Sequence, residues 1–348
     1  MFAFLFEYGL FLAKTITIVA AILAVIGVSV RLLRRRSPER LRPGVKVKKL
    51  NEKYNAMERE LKRHLLSEDE WKQLLKDEKK REKSKKKKKT RDAEVTKKRV
   101  FVLDFDGDIS ASAVESMREE ITAIVTVASP KTDEVILRLE SGGGSVRDYG
   151  LGASQLERLR QHEIPLTVVV DKIAASGGYK MACVADTLVA APYALIGSIG
   201  VAAEFPNFNR LLKKYDIDYE QITAGEFKRT WTQYGEFTPK AKEKFTEQLL
   251  DIHELFKHHV QRYREGVDID KVATGESWYA IRAKEMNLVD ELQTSDDLLL
   301  SRRKEADIFH IQYQEPSNVA EKILDRLDLL VKRVVSTFWK AFGEVKVS

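Results

Sequence analysis

The chain has 348 residues, of which 43% are hydrophobic and 32% charged, with a formal net charge of +7. That length admits one sizeable α/β domain with extensions, or two small domains. The single cysteine, Cys183, excludes an intrachain disulfide and a cysteine-based metal site. Most of the basic excess falls in residues 31–99, so it does not describe a nucleic-acid-binding surface on the fold.

In chain order, the first feature is the apolar run Gly9–Val30, interrupted only by Lys14. It is long enough to span a bilayer, and Lys14 near one end reaches the interface by snorkelling. Its N-terminal flank lacks positive charge, which argues for a retained anchor over a cleaved signal peptide. Residues 1–8 carry no Lys or Arg, whereas Arg31, Arg34, Arg35, Arg36, Arg40 and Arg42 follow the run. The positive-inside rule therefore places the rest of the chain in the cytoplasm.

Leu50, Tyr54, Met57, Leu61 and Leu65 recur on one face of a predicted helix. Ser67-Glu68-Asp69-Glu70 reads as a capping box that opens a second helix. The lysine-rich tract from Lys79 to Arg99 is expected to be a solvated linker, with attraction to anionic lipid as the alternative.

From Val100 the pattern alternates between strand and helix. Strands are predicted at Val100–Phe105, Glu134–Leu139 and Leu166–Val170, and helices at Ser110–Ala128, Asp148–His162 and Tyr179–Ala185. The apolar stretch Thr187–Ala203 contains Pro192, Gly197 and Gly200, so it is read as short core strands and turns. Such alternation implies a parallel sheet with right-handed crossovers. Thr238-Pro239 opens a helix to about residue 265, and Ile323, Leu327, Leu330, Val334 and Phe338 form one face of a last amphipathic helix over 319–342. That stripe suits either a subunit contact or a membrane surface.

Two segments carry the candidate chemistry. Ala174-Ala175-Ser176-Gly177-Gly178-Tyr179-Lys180 lies where a strand turns into a helix, so Ser176 is held where free N–H groups favour an anion. Acyl transfer needs that environment for its oxyanion, although an N-cap role would account for a serine equally well. Glu140-Ser141-Gly142-Gly143-Gly144-Ser145-Val146 follows a strand, but it lacks a P-loop lysine and fails the dinucleotide spacing. It reads as an oxyanion hole, a peptide-holding edge or a tight turn. None of the six histidines is well placed as a base, and His253 and His258 miss the zincin spacing. Lysine can serve instead once desolvation lowers its pKa, and Lys228, between Phe227 and Trp231, is one candidate.

The ordered motifs Glu140–Val146, Ala175–Tyr179, Gly197-Ser198-Ile199-Gly200-Val201, Gly225–Lys228 and Ala283–Asp290 resemble the signal peptide peptidase A / SohB family of serine–lysine peptidases. The resemblance implies Ser176 as nucleophile, Lys228 as general base and Ser198 as the serine that orients the lysine. It further implies an oxyanion hole from the N–H groups of Gly143 and Gly177, and no metal or cofactor. Glu140-Ser141 stands where the family has Ser-Pro, which bears on the adjacent peptide subsite.

The expected fold is an α/β, ClpP/crotonase-like domain with a parallel sheet and flanking helices, behind a transmembrane helix and a charged helical linker. The expected divisions are 1–31 anchor, 32–99 charged helical segment and linker, 100–300 peptidase domain and 301–348 amphipathic extension. The implied function is a membrane-anchored serine endopeptidase of the bacterial inner membrane, acting on hydrophobic or signal-peptide-like peptides or unfolded protein. It is expected to be homo-oligomeric, to contact the lipid bilayer and to bind no nucleic acid. The family's better-known members face the periplasm, which is the alternative to the cytoplasmic placement. A non-proteolytic scaffold and a crotonase-type acyl-CoA enzyme remain the rival readings.

Overall fold

Strand β1 (Gly44–Lys49) runs directly into helix α1 (Leu50–Leu65), and helix α2 (Glu68–Lys89) follows after a short turn. The computed structural model describes residues 44–89 and 98–314, apart from three isolated positions nearer the N-terminus. Residues Val45–Tyr313 form one compact unit, and 1–44 with 314–348 are grouped as another. Apart from those isolated positions, the expected anchor at Gly9–Val30 lies outside the described residues, as does the amphipathic helix at 319–342. Among the described residues no helix is long and apolar enough to cross a membrane.

The capping box at α2 forms as expected. Ser67 N–H donates to Glu70 Oε2 at 2.9 Å, and Glu70 N–H reaches back to Ser67 Oγ at 3.4 Å. Two expectations for this region need correction. The helix continues through the lysine tract to Lys89, where the charge pattern predicts a linker from Lys79. Lysine is a good helix former, and acids in the first turn with lysines in the last complement the helix dipole. The apolar stripe of α1 is also used only in part. Leu50 is buried and Tyr54 packs beside it, whereas Met57, Leu61 and Leu65 are exposed. Only the first turns of α1 lie over the sheet.

Strands β2 (Lys98–Gly107), β3 (Asp133–Ser141) and β4 (Leu166–Val170) alternate with helices α3 (Ala113–Val127) and α4 (Val146–Gln161). Strand β5 (Ile173–Ala175), helix α5 (Gly177–Ala182), and strands β6 (Thr187–Ala190) and β7 (Leu195–Gly197) follow. Beyond them come α6 (Asn209–Lys214), α7 (Pro239–Tyr263), α8 (Ile269–Val272), β8 (Ser277–Tyr279), α9 (Ala280–Glu285), β9 (Glu291–Leu292), α10 (Ser295–Arg302) and β10 (Ala306–Gln314). The sheet order is β1-β10-β2-β3-β4-β6-β9, and β10, β2, β3, β4, β6 and β9 pair in parallel. β5 branches from the end of β3, pairs with β7, and β7 carries antiparallel β8.

The buried strands are β-branched and leucine-rich because both faces are covered. On one face Phe101, Leu103, Leu137 and Val168 meet α3, α4 and α5; on the other Val100, Val102, Ile136 and Val169 meet α1 and α10. The sheet therefore extends beyond the expected 100–300 division at both ends. Asn51 of α1 accepts the Ile308 N–H at 2.7 Å and donates to the Ala306 carbonyl at 3.0 Å, which binds the first elements to the last strand.

Glu120 of α3 is buried and accepts the Tyr313 N–H of β10 at 2.7 Å. Burial pushes its pKa from the ordinary 4.5 to about 7; the Tyr313 N–H opposes that rise, Asp104 adds to it and His310 opposes it. The folded state thus holds a proton that the unfolded chain has already released between these values. The stabilisation is complete below about pH 4.5 and is lost as pH rises through about 7. Glu120→Gln keeps the acceptor and removes the titration. Its melting temperature should match wild type near pH 4.5 and exceed it at pH 8, by an increment of up to roughly 3 kcal/mol in unfolding free energy. A difference that does not widen with pH would contradict this assignment.

Candidate active site

The segment that carries Ser176 is held at both ends by the branch of the sheet. Ala174 is in register with Ser141 of β3, and Ala175 with Gly197 of β7. The chain then turns abruptly into α5, and Ser176 makes the turn with φ +51° and ψ −120°. A positive φ is sparsely populated for a residue with a side chain, and surrounding structure has to impose it. Here the Ser176 N–H donates to the Gly197 carbonyl at 2.8 Å, and the Ser176 carbonyl accepts the Lys180 N–H at 2.9 Å. The hydroxyl makes no capping hydrogen bond to α5. The capping role that competes for this serine in the sequence is therefore not the one it performs.

Gly143 lies against this turn with φ +91°. A Cβ placed on it would come within 2.7 Å of both Gly177 N and Ser176 Cβ. Gly143 and Gly177, expected to act together, are thus brought together beside Ser176. The detail differs from expectation, because the Gly143 N–H donates to Ser141 Oγ at 3.1 Å. The short span from the end of β3 turns that N–H back onto the strand's last side chain. Among the described residues the N–H groups of Gly144 and Gly177 have no protein acceptor.

Ser198 follows Gly197, the residue that fixes Ser176. Both have positive φ, +52° for Ser198 and +111° for Gly197, and the Ser198 N–H donates to Glu276 O at 2.6 Å. Lys228 sits elsewhere in character. It lies in the irregular stretch between α6 and α7, is exposed, and has its own N–H bonded to Gly225 O at 3.2 Å. Among the described residues no hydrogen bond or ion pair holds its ammonium, and none joins it to Ser176 or Ser198. The expected apolar shelter is also missing within one chain. Phe227 stacks beneath Lys240 and Lys244, and Trp231 packs on Phe205 at 4.7 Å between centroids. Both aromatic residues remain partly exposed.

Other groups support the turn from below. Tyr179 is fully buried and donates to Leu288 O at 3.0 Å. Asp290, which closes the last motif, takes two hydrogen bonds from Arg264, at 2.7 and 2.8 Å, and accepts the Leu188 N–H at 2.7 Å. That motif is therefore a fastening of β6 and α7 beneath α5. Cys183 is buried and its thiol is pushed up to about 12, chiefly by burial, as suits an inert core residue. Lys180 lies one turn along α5, with its ammonium 5.9 Å from the Phe256 ring of α7, and burial lowers its pKa. His259 is bonded to the Lys180 carbonyl at 2.9 Å, and among the described residues no histidine is hydrogen-bonded to Ser176.

Two further side chains lie against the site, Ser141 from the glycine motif and Tyr149, which no motif announces. Ser141 and Tyr149 are both buried, and their hydroxyls meet at 2.5 Å directly behind the glycine turn. The only sequence signal for Tyr149 is its place one turn into α4, where an aromatic reads as ordinary core.

Residues 3–156 match the family described as Peptidase family S49 N-terminal, and residues 158–308 match Peptidase family S49. The chain is 50% identical over 325 residues to a protein named Probable protease SohB from Haemophilus influenzae, covering 90% of each. A Probable protease SohB from Buchnera aphidicola subsp. Schizaphis graminum is 43% identical over 338 residues, covering 95% of this chain and 98% of the relative. Among solved structures, a point mutant of ClpP1 from Listeria monocytogenes aligns with 57% of this chain and 93% of its own, with a TM-score of 0.37 and 13% identity. Matched along both its halves by the two family descriptions, the chain belongs to peptidase family S49.

Proposed function

We propose that this peptidase is a serine endopeptidase in which Ser176 attacks the peptide carbonyl and Lys228 takes its proton. The observation that carries the reading is the strained turn at Ser176, whose hydroxyl caps no helix and has no hydrogen-bond partner among the described residues. The attack would form a tetrahedral oxyanion, and the acyl-enzyme would follow as the amine leaves with the proton from Lys228. Gly177 N–H is one oxyanion donor. The other falls to Gly144, since Gly143 gives its N–H to Ser141. Ser198 is assigned to orient the lysine, on the strength of its place at the strand end that anchors Ser176.

A lysine must shed its proton to act as a base, and desolvation is the usual means. Lys228 is carried on a segment whose Ile222, Tyr215, Ile217 and Phe227 are exposed. We assign the covering of this segment to a homo-oligomer, with bound hydrophobic peptide completing the enclosure. Gly9–Val30 is assigned as a bilayer anchor in the inner membrane, with Val45–Tyr313 on the cytoplasmic side by the arginines after the run.

A fluorophosphonate probe should label the full chain, and Ser176→Ala should abolish the labelling. Lys228→Ala should lower peptide hydrolysis by about 10²–10⁴-fold with the melting temperature unchanged. Activity within a few-fold of wild type would assign the proton to another group.

Because only the neutral amine accepts a proton, hydrolysis should rise with pH and stay high into the alkaline range. A maximum near pH 6 with decline by pH 8 would count against a lysine base.

Protease added to spheroplasts should leave residues 45–313 intact, and the purified chain in detergent should sediment as an oligomer at micromolar concentration. Digestion from outside would move the unit to the periplasm, and a strict monomer would remove the proposed cover for Lys228.

A further inference from the structure

A relay of hydroxyls lies behind the glycine turn. Tyr149 O–H donates to the Asp108 carbonyl at 2.7 Å, and its oxygen is 2.5 Å from Ser141 Oγ. Ser141 Oγ in turn accepts the Gly143 N–H at 3.1 Å. Since the phenol spends its one proton on Asp108, it accepts from Ser141, and Ser141 is left to accept from Gly143. The Ser141 proton has the phenol oxygen as its nearer acceptor and the Gly107 carbonyl, at 3.4 Å, as its farther one.

The same two side chains decide where the backbone can go. Tyr149 is 0% exposed, and a Cβ on Gly177 would lie 2.5 Å from its ring. A Cβ on Gly178 would lie 2.5 Å from the Ser141 carbonyl, and one on Gly107 would lie 2.5 Å from Ser141 Oγ and 2.6 Å from Tyr149 Oη. The pair thus touches the loop after β2, the glycine turn and the first residues of α5. Gly107, Gly177 and Gly178 approach the pair so closely that a side chain at any of the three would collide with it.

We propose that Ser141 and Tyr149 are the positioning residues of this site, fixing the glycine turn so that Gly143 stays seated against Gly177 N and Ser176 Cβ. The proposal rests on the serine-peptidase reading above. It assigns the buried phenol a role in rate, carried through Ser141 and the turn, in addition to packing. Loss of the hydroxyl alone leaves the ring beneath Gly177 and strands the Ser141 proton, whose remaining acceptor is the Gly107 carbonyl at 3.4 Å. The turn is then free to rotate its amides, and a misplacement of about 1 Å at such a site costs about 10²-fold in rate.

The test uses the full chain in detergent, with active sites titrated by a fluorophosphonate and peptide hydrolysis followed to give kcat per titrated site and KM. Tyr149→Phe and Ser141→Ala should each lower kcat per titrated site by about 10- to 100-fold, with KM within about twofold. The double variant should be no slower than the slower single one, because both break one relay. Titration counts only folded sites, so a variant that folds in low yield is still read, and Ser141→Ala removes one atom if Tyr149→Phe yields nothing. A wild-type rate per titrated site in both variants overturns the positioning role, as does full additivity in the double variant. A wild-type chain that takes no label at Ser176 overturns the peptidase assignment itself, which is a separate result.

Discussion

The close approach of three backbones at Ser176 is the constraint on which the rest of the structure turns. A non-glycine residue at φ +51° costs on the order of 1–3 kcal/mol, and it persists only where neighbours over-determine it. The neighbours here are the Gly197 carbonyl, the first turn of α5 and the face of Gly143. With Gly177 N only 2.7 Å from where a side chain at 143 would begin, the glycine turn is required by steric contact. The same argument makes Gly177 and Gly178 obligatory, so the run of glycines on both sides of the site is one packing fact seen from two strands.

That packing needs a rigid platform, and the parallel sheet supplies it. Leu103, Leu137, Val168 and Leu188 are 0% exposed, so the four central strands have no freedom to slide. Ser141 ends β3 and Ala175 ends β5, which places the candidate chemistry at the carboxyl ends of parallel strands, where open α/β sheets form their crevices. Strand β5 leaves the main sheet at this point and pairs with β7, whose Gly197 carbonyl holds the Ser176 N–H. The pairing of Arg264 with Asp290 closes the opposite side of α5. Arg264 is almost wholly buried, so a change that leaves either partner alone would weaken the floor of the site before it touched any reacting group.

What can be read from the sequence is what local chemistry decides. Leu166–Val170 announces a buried strand because five apolar or β-branched residues stand together, and Thr238-Pro239 announces a helix start that the Thr238 hydroxyl caps. Ser176 and the glycine segment stand out at strand ends, but an N-cap and a tight turn account for them until the ordered motifs are set against the family's. Strands β1 and β10 escape such reading, since the lysines of β1 and the polar residues of β10 look like surface until each finds an edge to join. The stripe on α1 promises more burial than it delivers for a related reason. Periodicity shows which face is apolar but not how far the partner extends, and the sheet ends beneath Tyr54. Tyr149 is unreadable because nothing local distinguishes a phenol that organises a turn from one that fills a core.

Lys228 marks where reading by residue stops and reading by environment begins. A lysine acts as a base only where its surroundings favour the neutral amine, so on the proposed mechanism chemistry at Ser176 depends on the medium around Lys228. Within one chain the medium is solvent, and the aromatic residues beside Lys228 are engaged with Lys240, Lys244 and Phe205 or left exposed. Around Ser176, by contrast, the strained turn, the Gly143 contact and the Ser141–Tyr149 hydroxyls are all set within one chain. On the proposed mechanism the protein therefore keeps a finished acyl-acceptor half and an unfinished proton-acceptor half in the same chain. An isolated copy so built would hydrolyse little, and its activity would follow whatever surface closes over residues 215–237.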